Sequence, residues 1–497
     1  MSRHDVQPIR AADAAAAVGG RVVGDPDRVI RGITDDSRDA RDGDVFCCVR
    51  GERTDGHLHA SQAVASGCRV LLCDRELAPG DLGGPVGPGH GEVTQIVVGD
   101  VRACLGVFAD HVFGHPSQNL LMVGVTGTNG KTSTVAILAS ILAASGTATE
   151  TIGTLTGVRT TPEPVDLHAR LRDAVASGAG AVVMEVSSHA LALGRVSGIR
   201  FAVAVFTNLS RDHLDFHGDM ESYFAAKRRL FGADMCDRAV VNVDDEWGRR
   251  IVAGAEVPVS GFSPAALDDA LCTADSVSFT WRTSRIDVPI GGRFTLANAL
   301  GAIVAAEALG VASPAIAQGC ARVETPTGRF ESVRNGAGID VIIDYAHTAE
   351  SLEILLTSAR EVCSGTLTVV FGCGGDRDAG KRESMGRAAA LGADRVIVTS
   401  DNPREEDPMV IIEAVARGVR AAGCEPVIEP DRGSAIASAI SGAERGDMVV
   451  IAGKGHETTQ EIAGVHRRFV DAEVAAGALR DRAVNESASE NERGDGA

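Results

Sequence analysis

The segment GVTGTNGKTS at residues 124–133 contains the residue types that bind nucleotide phosphates. It lies between an apolar run and a stretch with helical spacing, so its backbone N–H groups would surround an anion at a helix N-terminus. Lys131 would place a compact positive charge on the β- and γ-phosphates, and the Thr132 hydroxyl would bind Mg²⁺. Val125 stands where the strict pattern has glycine, and a glycine turn without a ligand is the alternative. The segment predicts an ATP site.

Acidic residues and a histidine follow the next two apolar runs. Glu185 ends one run, and Asp212, His213 and Asp215 come shortly after the other. Mg²⁺ prefers oxygen ligands and usually keeps waters while it bridges phosphates, so Glu185 and Thr132 form a reasonable pair beside ATP. By residue type alone, a hydrogen-bonded core histidine is the better interpretation of His213.

Apolar runs that alternate with helical patterns would position these residues. The runs are LLMVGV, AGAVVMEV and FAVAVF, followed from about residue 330 by DVIIDY, LTVVFGC, DRVIVTS and MVVIAG. Such runs predict parallel sheets covered on both faces. Polar clusters follow the strands at once, and open parallel sheets bind ligands at the carboxyl ends of their strands. The sequence therefore predicts ligand sites on two separate sheets.

The predicted fold is α/β with three domains. An N-terminal α/β domain covers residues 1–117, a central ATPase domain with a P-loop-type parallel sheet covers 118–327, and a Rossmann-like domain covers 328–484. The polar segment 485–497 is predicted to be a disordered tail.

Composition restricts the class of protein. Of the 497 residues, 44% are hydrophobic and 23% charged, as in ordinary globular proteins. The net charge of −19 argues against non-specific binding to nucleic acids or anionic membranes. Eleven scattered cysteines without a CxxC pair favour reduced thiols. With neither a signal peptide nor a membrane-spanning run, we expect a cytoplasmic protein without nucleic-acid partners or membrane insertion.

The polar clusters, taken in order, resemble the Mur ligase family, which joins amino acids to peptidoglycan precursors at the expense of ATP. The resemblance covers nearly the whole chain and is strongest to members that extend UDP-N-acetylmuramoyl-L-alanyl-D-glutamate. It rests on eight segments: TGTNGKT, TTP, MEVSSHAL, TNLSRDHLDFHGDMESYFAAKRRLF, DYAHT, GCGGDRDAGKR, DNPR and GKGHE.

The resemblance implies a reaction through an acyl phosphate. ATP phosphorylates a substrate carboxylate, and the amine of the incoming amino acid then displaces phosphate. The implied catalytic residues are Lys131, Glu185, His213 and Lys227, the last as a carbamate. Thr132 and Glu185 would hold one Mg²⁺, and His213 with carbamylated Lys227 a second. The resemblance thus replaces the core-histidine interpretation of His213.

The same resemblance implies the remaining contacts residue by residue. Those to ATP are Gly127, Thr128, Asn129, Gly130, Lys131, Thr132, Ser133, Asn298, Arg329, Asp344 and His347. Those to the UDP-muramoyl-dipeptide are Asp35, Ser37, Glu52, Arg53, Thr54, Thr160, Thr161, Ser187 and Arg195. Those to the amino acid are Arg377, Asp401, Asn402, Arg404, Gly453 and Glu457.

The segment DNPR indicates which amino acid is added. Family members that add meso-diaminopimelate have this form, and members that add lysine lack the arginine. Arg404 would bind the second carboxylate of diaminopimelate with two hydrogen bonds, and lysine would leave the guanidinium unpaired. Glu457 would bind the distal ammonium. The alternative for Arg404 is a surface residue after a proline turn.

Departures from the family pattern leave a second hypothesis open. Leu193 stands where some members have a glutamine that contacts the sugar-peptide, Thr295 stands in place of an asparagine, and Ala349 replaces a proline. A related amide ligase that acts on another carboxylate or amino acid, in a natural-product or folylpolyglutamate-like role, is the alternative. A non-catalytic nucleotide-binding regulator is a third hypothesis. We expect the chain to act as a monomer.

Lysine is rare in this chain. Of 48 lysines and arginines only Lys131, Lys227, Lys381 and Lys454 are lysine, and all four lie in the segments above. Carbamylation requires a neutral amine, which lysine provides when burial lowers its pKa and arginine does not. The resemblance therefore explains lysine at position 227, beside two arginines. The roles of Lys381 and Lys454 are left open.

Overall fold

The structure, a computed structural model, describes residues 3–4, 6–51, 54–83 and 92–494. In the N-terminal domain, four parallel strands and one antiparallel edge strand form a sheet in the order Arg21–Val23, Thr94–Val97, Val70–Cys73, Asp44–Cys47 and Gly32–Thr34. The strands Ile9–Arg10 and Val29–Ile30 pair separately. The helices are Ala11–Ala17, Ala60–Ala65 and Val101–Val112, with 3₁₀ turns at Gly56–His59 and Pro116–Asn119.

The central domain contains a six-stranded parallel sheet. Its strand order is Val259–Phe262, Ala239–Asn242, Val203–Phe206, Leu121–Thr126, Ala181–Glu185 and Thr149–Ile152. Its helices are Lys131–Ala144, Pro164–Ala176, Ser188–Ala192, Leu214–His217, Met220–Arg228, Glu246–Ala253, Phe294–Ala308 and Ser313–Arg322, with 3₁₀ turns at Arg229–Phe231 and Pro264–Ala266. A small antiparallel sheet of Leu271–Cys272, Val277–Trp281 and Ser284–Val288 adjoins them.

The third domain has a second six-stranded sheet. Its order is Glu331–Ser332, Asp340–Asp344, Met448–Ala452, Leu367–Phe371, Arg395–Val398 and Val427–Ile428, and only Glu331–Ser332 is antiparallel. The helices are Ala349–Val362, Lys381–Gly392, Pro408–Ala421, Arg432–Ser441 and Asp471–Gly494. The strands Thr459–Ile462 and Val465–Arg468 form a hairpin beside the sheet.

The strand Leu121–Thr126 shows why the apolar runs form covered sheets. Val123 and Val125 lie in one buried core, while Met122 lies in the core on the other face. Because alternate residues of a strand point to opposite faces, a strand that is apolar at every position requires cover on both sides. The predicted α/β class with parallel sheets is confirmed, and the small antiparallel sheet was not predicted.

The C-terminus differs from the prediction of a disordered tail. The last helix continues to Gly494, and residues 495–497 lie outside the described residues. The segment 485–494 contains glutamate, alanine and arginine, which favour a helix, and it extends a helix already begun at Asp471. The domain limits remain predictions. Across the part of the chain described, no helix combines the length and apolar character needed to cross a membrane.

Candidate active site

The phosphate loop, residues 127–130, joins the strand Leu121–Thr126 to the helix Lys131–Ala144. Gly130 has a φ of +84°, and a Cβ there would lie 2.2 Å from Oδ1 of Asn298. Positive φ together with so close an approach requires glycine. The turn therefore brings the loop against Asn298, one of the residues predicted to contact ATP.

Side chains after the neighbouring strand hold the loop in shape. Oδ1 of Asn208 accepts the backbone N–H of Asn129 at 2.9 Å, and its Nδ2 donates to the Asn129 carbonyl at 3.2 Å. The Thr207 hydroxyl donates to the same carbonyl at 2.6 Å. Sequence reasoning missed Thr207 and Asn208 as supports, although they directly follow the strand Val203–Phe206, which was the signal that could have found them.

Thr132 and Glu185 meet at the carboxyl edge of the central sheet. The Thr132 hydroxyl donates to Oε1 of Glu185 at 3.0 Å. The backbone N–H of Thr154 donates to the same oxygen at 2.9 Å, and its hydroxyl donates to Oε2 at 3.2 Å. Glu185 is buried, so these donors replace its lost hydration. The predicted pair of oxygen donors is brought together, and Thr154 is a support that sequence reasoning missed.

Lys131 is the first residue of its helix, and its ammonium folds back onto the phosphate loop. Its Nζ donates to the carbonyl oxygens of Gly127 and Thr128, both at 2.9 Å. Burial lowers the pKa of Lys131, and the Glu185 carboxylate opposes that shift. The ammonium therefore lies within the cradle where the loop would hold phosphates.

Lys227 lies on the helix Met220–Arg228 and is 1% exposed. Its Nζ donates to the Gly127 carbonyl at 2.8 Å and lies 4.7 Å from the ring centroid of Tyr223. Within the described residues, no carboxylate forms an ion pair with it. Burial, aided by the charge of Lys131, lowers its pKa well below the usual value. A buried amine without an acidic partner favours its neutral form.

His213 lies in the loop after the strand Val203–Phe206, with a positive φ of 53°. Its side chain is 45% exposed, and its Nε2 lies 3.4 Å from Oδ2 of Asp212. Its ring centroid is 6.3 Å from that of Tyr223, the ring that Lys227 also contacts. The two residues predicted for the second metal ion thus flank one tyrosine. Partial burial of the ring lowers the pKa of His213, and the neighbouring Asp212 carboxylate opposes that shift.

The residues predicted on the ATP side of the third domain cluster around Tyr345. The guanidinium of Arg329 lies 4.6 Å from the Tyr345 ring centroid. Oδ2 of Asp344 accepts the backbone N–H of Phe330 at 2.8 Å. Burial raises the pKa of Asp344 and lowers that of His347.

The third domain contacts the central domain beside these residues. The backbone N–H of Arg211 donates to Oε2 of Glu350 at 2.9 Å. The charge of Asp212, in the same central loop, also acts on His347. The structure therefore brings the two predicted halves of the ATP site to one cleft between the domains. Sequence reasoning missed Glu350, which follows the departure at Ala349.

The first domain borders a cavity of about 700 Å³. Of the predicted nucleotide-sugar residues, Asp35, Ser37 and Thr54 line it, while Glu52 and Arg53 lie outside the described residues. Burial raises the pKa of Asp35. Further lining residues were not predicted: Arg3, His59, Gln62, Arg102, Arg159 and Glu163.

The predicted contacts to the muramoyl-peptide form one network. The Thr161 hydroxyl accepts the backbone N–H of Ser187 at 3.0 Å, and Nη1 of Arg195 donates to the Thr161 carbonyl at 3.2 Å. Nη2 of Arg195 pairs with Glu163 at 2.8 Å. Thr160, which was also predicted, directly precedes Thr161 in the chain. Because Glu163 also lines the first-domain cavity, the network connects that cavity to the Glu185 strand.

The predicted amino-acid residues meet at the carboxyl edge of the third-domain sheet. Nδ2 of Asn402 donates to Oε2 of Glu457 at 2.7 Å. A Cβ at Gly453 would lie 2.6 Å from Oδ2 of Asp401, so this position requires glycine. Burial raises the pKa of Asp401. The charges of Arg377, Asp401 and Glu457 all act on Tyr345. The ring centroid of His456, next to Glu457 in the chain, lies 5.0 Å from that of Tyr345, so the pocket adjoins the ATP-side residues.

Arg404 has a positive φ of 53° and a side chain 25% exposed. Its Nη1 donates to the Gly375 carbonyl, and its Nε lies 3.5 Å from Oε2 of Glu461. In the part of the chain described, Nη2 donates to no protein group, which leaves it available to a carboxylate.

A fully buried ion pair supports both loops of this pocket. Nε and Nη2 of Arg432 donate to the two carboxylate oxygens of Asp471 at 2.7 and 2.6 Å. The same guanidinium donates to the Ala452 carbonyl at 3.1 Å and lies 3.5 Å from the Ser400 carbonyl. These carbonyls directly precede Gly453 and Asp401. Sequence reasoning missed the pair because its members are 39 residues apart, outside every motif.

The oxygen donors at the central sheet suit a Mg²⁺ ion that is also coordinated by nucleotide phosphates. Among the described residues, no three of His, Cys, Asp and Glu converge to hold a metal by themselves. Thr132 and Glu185 offer oxygen atoms side by side, and Mg²⁺ commonly takes one or two protein oxygens with phosphates and waters. Thr132 and Glu185 therefore suit a metal ion whose coordination shell is completed by phosphate oxygens.

Comparison with protein families agrees with this arrangement. The Mur ligase family catalytic domain matches residues 29–111, the Mur ligase middle domain matches 125–306, and the Mur ligase glutamate ligase domain matches 328–455. The chain belongs to the Mur ligase family.

Relatives of this chain bear the name of one particular kind of Mur ligase. A UDP-N-acetylmuramoyl-L-alanyl-D-glutamate–2,6-diaminopimelate ligase of Xanthomonas campestris pv. campestris is 44% identical over 477 residues, which are 91% of this chain and 94% of the relative. The ligase of the same name from Streptomyces coelicolor is 41% identical, over 91% of this chain and 92% of its own length.

A solved structure of a ligase of that name has a TM-score of 0.67 and 30% identity, and covers 96% of this chain and 99% of its own. The MurF structure from Acinetobacter baumannii, at 21% identity and a TM-score of 0.65 over 90% of this chain and 96% of its own, shows the shared fold.

Proposed function

We propose that this chain is the ATP-dependent ligase that adds meso-diaminopimelate to UDP-N-acetylmuramoyl-L-alanyl-D-glutamate in peptidoglycan precursor synthesis. The observation that carries the proposal is the pairing of two sites across one cleft. A phosphate loop with Lys131 and Glu185 lies on the central sheet, and a pocket with Arg404 and Glu457 lies on the third-domain sheet. A ligase that activates a carboxylate and then adds an amino acid requires both sites close together.

In the first half-reaction, an oxygen of the substrate carboxylate attacks the γ-phosphorus of ATP. The bond to the bridging oxygen breaks, ADP leaves, and an acyl phosphate remains. The backbone N–H groups of the phosphate loop bind the phosphates, and Lys131 exchanges its two loop carbonyls for phosphate oxygens. The protein thereby positions the reactants and neutralises charge without a nucleophile of its own.

In the second half-reaction, the neutral amine of the amino acid attacks the acyl carbon. The tetrahedral intermediate expels phosphate, an amide bond forms, and the amine proton is released. Arg404 would hold the distal carboxylate and Glu457 the distal ammonium, so that the reacting amine points toward the central sheet.

Mg²⁺, when bound, neutralises charge on the transferred phosphoryl group. Thr132 and Glu185 would hold one ion, and His213 with carbamylated Lys227 a second. The carbamate forms when the neutral Nζ of Lys227 attacks the carbon of CO₂, with loss of one proton to solvent. Its burial without an acidic partner supports this role.

We also propose that the ligase works in the cytoplasm as a monomer. The residues proposed for its three substrates all come from one chain. Light scattering of the purified protein would measure the mass, and a stable dimer would contradict the monomer.

The test is a phosphate-release assay with UDP-muramoyl-dipeptide, ATP and Mg²⁺. We expect turnover with meso-diaminopimelate and at most background with lysine, ornithine or no amino acid. Leu193 lines the first-domain cavity and is the observation that favours a ligase with a different carboxylate substrate. Failure to bind UDP-muramoyl-dipeptide in calorimetry, together with phosphate release on another carboxylate substrate, would favour that second function.

A further inference from the structure

Lys454 is enclosed at the centre of the third-domain pocket. It is 0% exposed, and its Nζ donates three hydrogen bonds. The acceptors are Oε2 of Glu457 at 3.0 Å, Oδ1 of Asn402 at 3.3 Å and the carbonyl of Thr459 at 2.7 Å. They come from three different segments, so one ammonium joins the DNPR segment, the GKGHE segment and the hairpin.

These bonds determine how Glu457 is presented. Its Oε2 accepts from both Lys454 and Asn402, at 3.0 and 2.7 Å. Within the described residues no group donates to Oε1, and the side chain is 35% exposed. The carboxylate is therefore held by one oxygen while the other remains open to the pocket.

The same ammonium indirectly supports Arg404. Thr459 begins the hairpin, and farther along its first strand the Glu461 carbonyl accepts the backbone N–H of Arg404 at 3.1 Å. Oδ1 of Asn402 also accepts the backbone N–H of Glu461 at 3.0 Å. Lys454 thus connects the residue proposed to bind the distal ammonium with the residue proposed to bind the distal carboxylate.

The choice of lysine has a geometric reason. A compact ammonium donates in three directions from one atom, whereas a guanidinium is planar and larger. With no exposed surface at this site, a larger guanidinium would have to displace packed neighbours. The three donor directions therefore favour lysine at position 454, in a chain that mostly uses arginine.

We propose that Lys454 is a positioning residue for amino-acid specificity: it holds Glu457 and Asn402 so that Oε1 of Glu457 meets the ammonium of a substrate with a distal ammonium–carboxylate head. This inference rests on the proposed function. It assigns Lys454 no contact with the reacting atoms.

The experiment compares Lys454→Met with Arg417→Met, which removes an exposed positive charge from the same domain. Steady-state KM values are measured for all three substrates in the full-length protein. We expect Lys454→Met to raise the KM for diaminopimelate about 10- to 100-fold, the value of a hydrogen bond to a charged group, and to leave the other two KM values within about twofold. Arg417→Met should match the wild type.

A second variant addresses folding. Lys454→Gln retains an amide donor and should give a smaller rise in the same KM. A double-mutant cycle with Glu457→Gln should be non-additive, because either change removes the same interaction. An unchanged KM for diaminopimelate, an equal rise in all three KM values, or failure of both variants to fold would overturn the proposal. Absence of turnover with diaminopimelate in the wild type would instead reject the proposed function.

Discussion

Lys227 in the central domain and Lys454 in the third domain are both shielded from solvent, yet their surroundings differ. Lys227 has one backbone carbonyl and the Tyr223 ring as neighbours, and no carboxylate pairs with it in the described part of the chain. Lys454 has a carboxylate, an amide oxygen and a carbonyl. Burial without an acid favours a neutral amine, which can react, and burial with an acid holds an ion pair in place. We therefore propose a chemical role for Lys227 and a positioning role for Lys454.

The largest effect is expected for Lys227→Arg. Arginine cannot form a carbamate, and its guanidinium would stay charged, so we expect turnover to fall on the order of 1000-fold, the upper range for loss of one electrostatic group. The assay is phosphate release, with Arg228→Met on the exposed side of the same helix as the control. Lys227→Ala should recover some activity when a small carboxylate is added. Near-wild-type turnover in Lys227→Arg would show that Lys227 does not act as a carbamate.

The second effect concerns Arg404→Met. Loss of the guanidinium removes a bidentate partner for the distal carboxylate, so kcat/KM for diaminopimelate should fall about 100-fold. Selectivity over lysine, measured as the ratio of kcat/KM values, should fall with it. Arg467→Met, exposed on the neighbouring hairpin, serves as the control. If the ratio stays constant, Arg404 does not determine specificity.

His168 is a second buried ionisable group to compare with Lys227, because it is not among the residues proposed to contact a substrate. It is 0% exposed, its Nδ1 lies 3.5 Å from Oδ1 of Asp110 without a hydrogen bond, and burial lowers its pKa to about 4 although the Asp110 carboxylate opposes the shift. The unfolded chain, with a histidine pKa of about 6.5, therefore binds more protons below neutrality. The contribution of His168 to the free energy of unfolding is therefore largest above pH 6.5 and falls toward pH 4.

Urea denaturation at pH 7 and pH 5 measures this effect. Relative to His168→Leu, the wild type should lose about 2 kcal/mol between the two pH values, by linkage from the lowered pKa. Equal pH dependence in both proteins would show that burial alone does not shift a group here, and would weaken the corresponding argument for Lys227.

The smallest effect is expected at the contact between the domains. Glu350→Ala removes the acceptor for the Arg211 backbone N–H, so we expect kcat to fall about 3- to 10-fold, the value of one hydrogen bond. Glu353→Ala, exposed on the same helix, is the matched control. A change no larger than that of the control would show that the two regions act together without this contact.

Much of the site could be predicted because its parts lie in short segments. The phosphate loop follows a strand and begins a helix, and glycine at 130 reflects a positive φ. Glu185 and Arg404 were also found at the ends of strand runs. Thr154 and Glu350 escaped prediction, since nothing in their immediate surroundings marks them as partners of Glu185 and Arg211.

The sequence by itself determined the alternation of strands and helices in the two parallel sheets, the motif segments and the scarcity of lysine, because these depend on residue types and local spacing. Only the tertiary structure decided that Nζ of Lys227 meets the carbonyl of Gly127, and that Arg432 meets Asp471 beneath the amino-acid loops. Those contacts join residues far apart in the chain, and packing of the sheets and helices sets their distances. The tertiary structure therefore decides whether a buried lysine has a carboxylate beside it, and with that whether the lysine reacts or positions other residues.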